Sequence, residues 1–315
     1  MSCTHKDEGV KLVYKFEQNK VFQSNKKSSL KLNINKILIP GKNNQLSESS
    51  SNILKNDSIL RGIREILSKK DLKLLRWNMT TNLKETITTS KVDSANISRQ
   101  SQLKSFVINA DNIKISLDES LQNIIKLIIN EEQKRKRKST GEWYNLPKVL
   151  GIDLTAAHDD PYLSQLLLYL KRGFAYPDKE IYNGFKWNSN LHILIPVDSL
   201  SKGQSKGFIR IDITNNQELV KTEKNIANIK LDFELLLGWE VNVPEEGFSK
   251  CNFSLKGDGF RLFNIKKGWD YGMFLKGDTK IKIDAETIDK GNSNKRIPFI
   301  LDADGDFGIA SKIMV

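Results

Sequence analysis

Two cysteines, Cys3 and Cys251, and three histidines, His5, His158 and His192, are all that 315 residues provide. That scarcity excludes a disulfide scaffold and a four-cysteine zinc site, and it leaves little material for metal catalysis. No apolar run approaches the ~18–20 residues that a membrane-spanning helix needs. The N-terminus lacks an apolar stretch followed by a cleavage site, so no classical secretory signal is expected. Apolar residues make up 38%, below the ~45–50% of average globular chains, a benchmark that also counts glycine. Charged residues make up 28%, near the usual quarter, so a folded chain with a buried core is expected rather than wholesale disorder. Together these absences predict an intracellular protein that is not secreted, with no transmembrane helix and no cofactor.

What is abundant is positive charge, and it is unevenly placed. The chain carries a net +12. Residues 1–140 hold 27 Lys and Arg against 14 Asp and Glu, which leaves 23 against 24 in residues 141–315. The excess therefore belongs to the first part, as in a polyanion-facing region joined to a more neutral one. Nucleic acid fits through counterion release, and an anionic membrane surface fits through its potential. A merely solubilising surface is the plain alternative.

Periodicity predicts an α+β protein with a basic, mixed N-terminal half over 1–140, a helical connector over 141–189 and a β-rich, antiparallel sandwich-like domain over 190–315. Residues 11–16 and 30–39 alternate as half-buried strands. Residues 41–56 and 80–102 are Ser/Asn/Thr-rich and predict a loop and a linker. Ile59, Leu60, Ile63, Ile66 and Leu67 have helical spacing, and a short helix is expected from Lys69 to Trp77. Ser116 and Glu119 form a capping box for a helix bearing Leu121, Ile124, Ile125 and Ile128, which runs toward the cations at 134–138. Asp160 and Pro161 open another helix, with Gly173 to end it in a left-handed conformation. From residue 190 the period becomes two: short strands are expected at 191–197, 208–213, 229–237, 240–243, 251–255, 260–265, 273–275, 280–283 and 298–301, with glycines as the turns between them.

Lys134, Arg135, Lys136, Arg137 and Lys138 are the sharpest short signal. Five consecutive cations resist burial, so an exposed nucleic-acid or nuclear-import patch is predicted there, against the alternative of a solvated helix end. Asp302, Asp304 and Asp306 follow a strand, as in phosphatase nucleophile loops, and would serve a metal-dependent hydrolase. Too little chain follows for that fold, however, and Phe307 and Ile313 break a calcium loop, so an acidic turn is the simpler reading. His158, Asp159 and Asp160 lack a further ligand at metal spacing. Cys251 fits a small core residue better than a nucleophile. The segment from Gly203 to Gly207 is too short for a phosphate loop and leads into a strand.

The stretch from Asn190 to Lys276 resembles the 30K superfamily of plant-virus cell-to-cell movement proteins. Leu191–Val197 would be its first strand, and Lys206–Asp212 the second, ending in the family's aspartate, Asp212. Residues 229–237 and 260–275 would continue the sandwich. The chain departs from the pattern in having no arginine two residues after Asp212. The resemblance implies non-enzymatic RNA binding with little sequence specificity. RNA rather than DNA is the expected partner, and the basic run 134–138 adds a host import receptor or an anionic membrane surface as further expected partners, with oligomerisation possible. The host cytoplasm, nucleus or cell junctions would be the location. A viral matrix protein is a second possibility. The segment from Gly203 to Arg210 also resembles a glycine-rich loop of CRISPR-associated RNA-binding subunits.

Overall fold

The computed structural model describes residues 9–38, 72–111, 113–115, 129–146, 160–200, 205–243, 247–289 and 292–314, together with 122–123, 125–126, 148–149 and 152–153. Thirteen strands dominate it: β1 (Val21–Leu38), β2 (Leu74–Ser90), β3 (Ser94–Ala110), β4 (Ile113–Ile115), β5 (Glu131–Lys138), β6 (Lys148–Val149), β7 (Ile152–Asp153), β8 (Lys186–Pro196), β9 (Lys206–Glu223), β10 (Ile226–Val243), β11 (Gly247–Asn264), β12 (Trp269–Asp289) and β13 (Asn292–Met314). Helix α1 (Pro161–Arg172) and the single turn α2 (Val197–Leu200) complete the elements. Eleven strands form one antiparallel sheet in the order β4-β3-β2-β1-β13-β12-β11-β10-β9-β8, with β5 also paired to β3.

This corrects the α+β expectation. The basic half contributes β1–β5 to the same sheet as the C-terminal strands, through the β1–β13 pairing. No second sheet lies against it as a sandwich would require; the only other sheet is the two-residue β6–β7 pair among the described residues. Residues 80–102, expected as a linker, are the facing arms of β2 and β3. Trp77, expected in a helix, lies in β2. Of the helix expected from Ser116, only 122–123, 125–126 and 129 are described, and these are helical. The segments 41–56 and 59–67 lie outside the described residues. Residues 11–16 bury Leu12 and Tyr14 as their alternation predicts, but in a segment with no strand assignment.

Gly268 turns between β11 and β12 as expected, but other glycines expected as turns, and Gly305 of the expected acidic turn, behave otherwise. Gly257 and Gly259 lie within β11, Gly277 within β12 and Gly305 within β13. A Cβ there would stand 2.4, 1.9, 2.0 and 1.8 Å from the carbonyl oxygens of Lys276, Phe274, Lys256 and Lys31. Neighbouring backbones approach so closely that only glycine fits, which is how long strands are bent sharply enough to coil a sheet. The short strands expected on either side are thus single strands of 18–23 residues.

Helix α1 forms as its sequence predicts. The Asp160 carboxylate accepts from the amides of Tyr162 (2.9 Å) and Leu163 (2.8 Å), and Pro161 occupies the first turn. Gly173, however, ends it at φ −54° rather than in a left-handed conformation. The helix joins the two ends of the sheet. On one side the Trp143 amide donates to Lys171 O (3.0 Å), and residues 142–144 extend the edge of β5 through Lys138 N to Glu142 O (2.7 Å) and Tyr144 N to Lys136 O (2.8 Å). On the other, Gly173 O accepts from Ser189 Oγ of β8 (2.7 Å) and Asn215 Nδ2 of β9 (2.6 Å). Its two faces match: Leu167 packs with Leu146 and Trp143, while Tyr169 packs with Leu191 and Ile193. The coiled sheet is thereby bridged into a barrel-like wall, with the β5 edge partly paired by residues 142–144.

Candidate ligand-binding interior

The registers sort every strand into an inward and an outward face. Helix α1 and the main core cluster lie on the inward one, with Phe22, Ile87, Ile97, Leu219, Ile229, Phe263 and Trp269 drawn from seven strands. Residues 9–16 and 174–185 plug that end of the barrel. Val10 and Ile181 exchange backbone bonds (2.8 and 2.9 Å), Tyr14 N donates to Ser139 O (2.7 Å) and Gly184 N to Leu219 O (2.7 Å). Phe22 stacks on Trp269 at 3.8 Å with rings 2° from parallel. Burial of each such side chain stabilises by roughly 1.5–3 kcal/mol.

A charged knot fastens the plug to the wall. Arg261 Nε and Nη2 donate to the two Asp270 oxygens (2.8 and 3.0 Å). Tyr176 donates to Asp270 Oδ1 (2.7 Å), and Tyr14 donates to Oδ2. The Tyr14 hydroxyl in turn accepts from Arg137 Nη2 and Arg261 Nη2, both at 2.7 Å. Arg137 also lies over the Tyr14 ring at 3.8 Å and the Trp143 ring at 4.8 Å. Burial alone would raise the Asp270 carboxyl, yet the Arg261 guanidinium, together with Arg137 and the Tyr14 hydroxyl, holds the group at about 2. Burial pushes both tyrosine hydroxyls up. The one carboxylate is fully hydrogen-bonded and serves both guanidinium groups, the kind of network in which buried ions are tolerated.

One step along each strand from the plug, the inward side chains turn polar. Arg99 follows Ile97, Glu85 precedes Ile87, Ser24 follows Phe22, Gln217 precedes Leu219 and Gln133 precedes Arg135. Arg99 Nε lies 3.6 Å from Glu85 Oε1, too far for a hydrogen bond, and has no other partner. Both amide atoms of Gln217 are buried without a hydrogen bond, as is Nε1 of Trp187, which faces it across the β8–β9 pair. Lys26 completes the tier. It projects from the inward face of β1 yet is exposed to water, and no carboxylate pairs with it among the described residues. Enclosure by the wall, then the Arg99 charge, pulls its pKa below that of an ordinary lysine.

Beyond Lys26 the inward face carries no charged side chain among those described. Beside it, Ser28 aligns with Met79 and Phe106, and Leu30 with Trp77 and Ile108. Met79, Phe106, Leu30, Trp77 and Ile108 are all only half-buried, and Trp77 and Phe106 meet at 5.9 Å. The outward face mixes exposed apolar side chains, among them Leu194, Phe208, Leu236 and the in-register pair Phe260 and Phe274, with charged rows. Glu234, Lys256, Asp278, Asp306 and Lys31 stand in register across β10, β11, β12, β13 and β1.

The residues singled out from sequence fall as follows. Lys134–Lys138 is strand β5, not a helix end: Arg135 and Arg137 are buried inward, whereas Lys134 is exposed outward. Two of the five cations are thus inside the barrel, and the contiguous exposed patch does not exist. The basic half forms strands β1–β5 rather than a mixed helical region, so the expected movement-protein-like, RNA-binding function is overturned. The matrix alternative, which joined a basic surface to a β-rich core, falls with it; the CRISPR-type alternative rested on the segment from Gly203 to Arg210, whose residues 206–210 are strand β9 rather than a loop. Asp212 lies outward on β9, in contact with His192 and Arg210, with no nucleophile at the pair. Asp302, Asp304 and Asp306 lie along β13 rather than in a turn. Asn35 Nδ2 bridges the first two at 3.5 and 2.6 Å, and no three metal-binding side chains converge among the described residues. The first two aspartates border a shallow outer groove of about 620 Å³, with Arg210 and Lys282. Cys251 is buried on the inward face, and burial pushes its thiol up, as suits a core residue. His158 lies outside the described residues.

Sequence reasoning missed Lys26. The available signal was parity: Phe22, Leu30 and Leu32 share its phase, so a period-two reading begun at Phe22 points Lys26 inward. No family model matches the chain, and no curated protein matches it. Among solved structures, one of OmpF from Salmonella typhi in complex with daunomycin aligns over 94% of this chain and 98% of its own, at 7% identity and a TM-score of 0.22.

Proposed function

We propose that this protein is a non-catalytic binding protein that shelters an apolar, chain-like ligand inside its coiled sheet. The observation that carries this reading is the contrast between the two faces: half-buried Leu30, Trp77, Met79 and Phe106 inward, and the charged row of Glu234, Lys256, Asp278, Asp306 and Lys31 outward. A membrane barrel has the reverse arrangement, with an apolar band outside and a polar interior. The outward charge therefore favours a barrel standing in water, with its apolar surface turned to a guest. The plug and the knot close one end, which suits retention of a ligand rather than passage through the wall. Concave sites with apolar walls and a few placed polar groups are the usual form of small-ligand pockets.

The test is titration of the full chain with 1-aminoanthracene, whose emission rises in apolar surroundings. Saturable enhancement that single-chain lipids compete away is expected. A Phe106→Arg variant, placing a charge on the inward face, should abolish it while the outward Lys31→Ala leaves it intact. Absence of saturable binding in folded protein would overturn the reading.

A further inference from the structure

The tier between plug and apolar wall has more binding capacity than the fold consumes. Lys26 is enclosed, accessible and without a carboxylate partner among the described residues. The Arg99 guanidinium is held only loosely by Glu85 at 3.6 Å. Gln217, 2% exposed, has neither amide atom engaged. Buried polar groups in native folds are nearly always satisfied, so a cluster left open marks a place where something else binds. The knot below it shows the contrast, since there Arg261 and Arg137 share the Asp270 carboxylate and both donate to the Tyr14 hydroxyl.

Resting on the interior reading, we infer that the ligand carries a small anionic head, carboxylate or phosphate, seated on Lys26 and Arg99 with Gln217 to hydrogen-bond its oxygens, and an apolar chain lying along Leu30, Trp77 and Phe106. Charge-assisted hydrogen bonds to an enclosed cation pair are about twice as strong as neutral ones, so the head sets affinity and orientation while the chain supplies apolar burial. The groups are spaced accordingly. Lys26 and Leu30 are four residues apart on the same face of β1, about 13 Å along the strand, the length of a medium acyl chain.

Hexadecanoate, hexadecyl phosphate and hexadecanol, each below its aggregation limit, are titrated into the full chain by calorimetry. The two anions should bind roughly tenfold to a hundredfold more tightly than the alcohol. Lys26→Gln should remove that preference, while the outward neighbour variant Lys27→Gln keeps it. Because Lys26 is water-accessible, its variant should fold; Arg99→Lys, which retains charge but not the guanidinium, gives a second reading with a partial loss. The tighter of the two anions names the head. Equal binding of all three, or a preference that survives Lys26→Gln, overturns the head-group site and leaves the interior reading standing. No binding of any of the three to folded wild-type protein overturns both.

Discussion

Arg261 and Asp270, on adjacent strands but two positions out of register, form a two-pronged ion pair inside the barrel, with Nε–Oδ1 at 2.8 Å and Nη2–Oδ2 at 3.0 Å. Tyr14, from the plug, bonds both members. One pair thus holds a sheet and its stopper together.

Removing the anion leaves two buried guanidinium groups, on Arg137 and Arg261, without it. Asp270→Asn should cost about 3–5 kcal/mol in urea unfolding. The wild-type carboxyl is lowered from 3.8 to about 2 on folding. Its folded-state value is depressed, so its stabilisation is present above ~4 and is lost as pH falls from there through about 2. That loss is on the order of 2 kcal/mol. The variant should lack this segment of the pH–stability curve.

Gly305 and Gly238 look alike in sequence but differ in what surrounds them. A Cβ on Gly305 would lie 1.8 Å from Lys31 O, whereas one on Gly238 meets nothing nearer than 3.5 Å. Gly305→Ala should cost roughly 2–4 kcal/mol and Gly238→Ala less than about 1. Thermal unfolding of the two variants side by side decides the point; equal costs would deny the close approach of β1 and β13.

Closure of the wall depends on α1, and α1 depends on its cap. Asp160→Ala should cost about 1 kcal/mol. Hydrogen exchange should localise the loosening to α1 and the neighbouring amides of β8 and residues 142–144, since these meet at the helix. Uniform loosening across the distant β1–β13 pair would argue against that role.

Alternation within β5 yields a paired prediction. Lys134→Ala, outward, should change stability by no more than ~0.5 kcal/mol. Arg137→Met should cost about 3 kcal/mol or more, because Asp270 and Tyr14 lose a charged partner. Chemical denaturation of both variants checks it. Equal effects would mean that the strand does not alternate.

Helix α1 was legible because its signals are local: a carboxylate beside two free amides and a proline that needs no donor act within one turn of chain. The inward apolar rows of β8 to β13 were legible for the same reason, since a period of two places one side of any strand in the core. The cations of β5 were not, because alternation leaves no trace when both alternates are positive. What selects the strand there is pairing with residues 94–101, some forty positions earlier, and the partners that draw alternate arginines inward: Trp143 beside both, then Tyr14 and Asp270 at Arg137.

The mid-strand glycines show the same division. The sequence determined that Gly257, Gly277 and Gly305 could turn, since a missing side chain permits either a reversal or a close approach. Only the neighbouring backbones, brought there by β1, β11 and β12, decided that the chain passes straight through and the sheet bends instead. The candidate site follows from that bend. Lys26, Arg99 and Gln217 lie on three strands separated by most of the chain, and no local signal relates them. Coiling of the sheet and its closure by α1 place them in one tier, because a wall closed on itself converts register along each strand into neighbourhood across the interior.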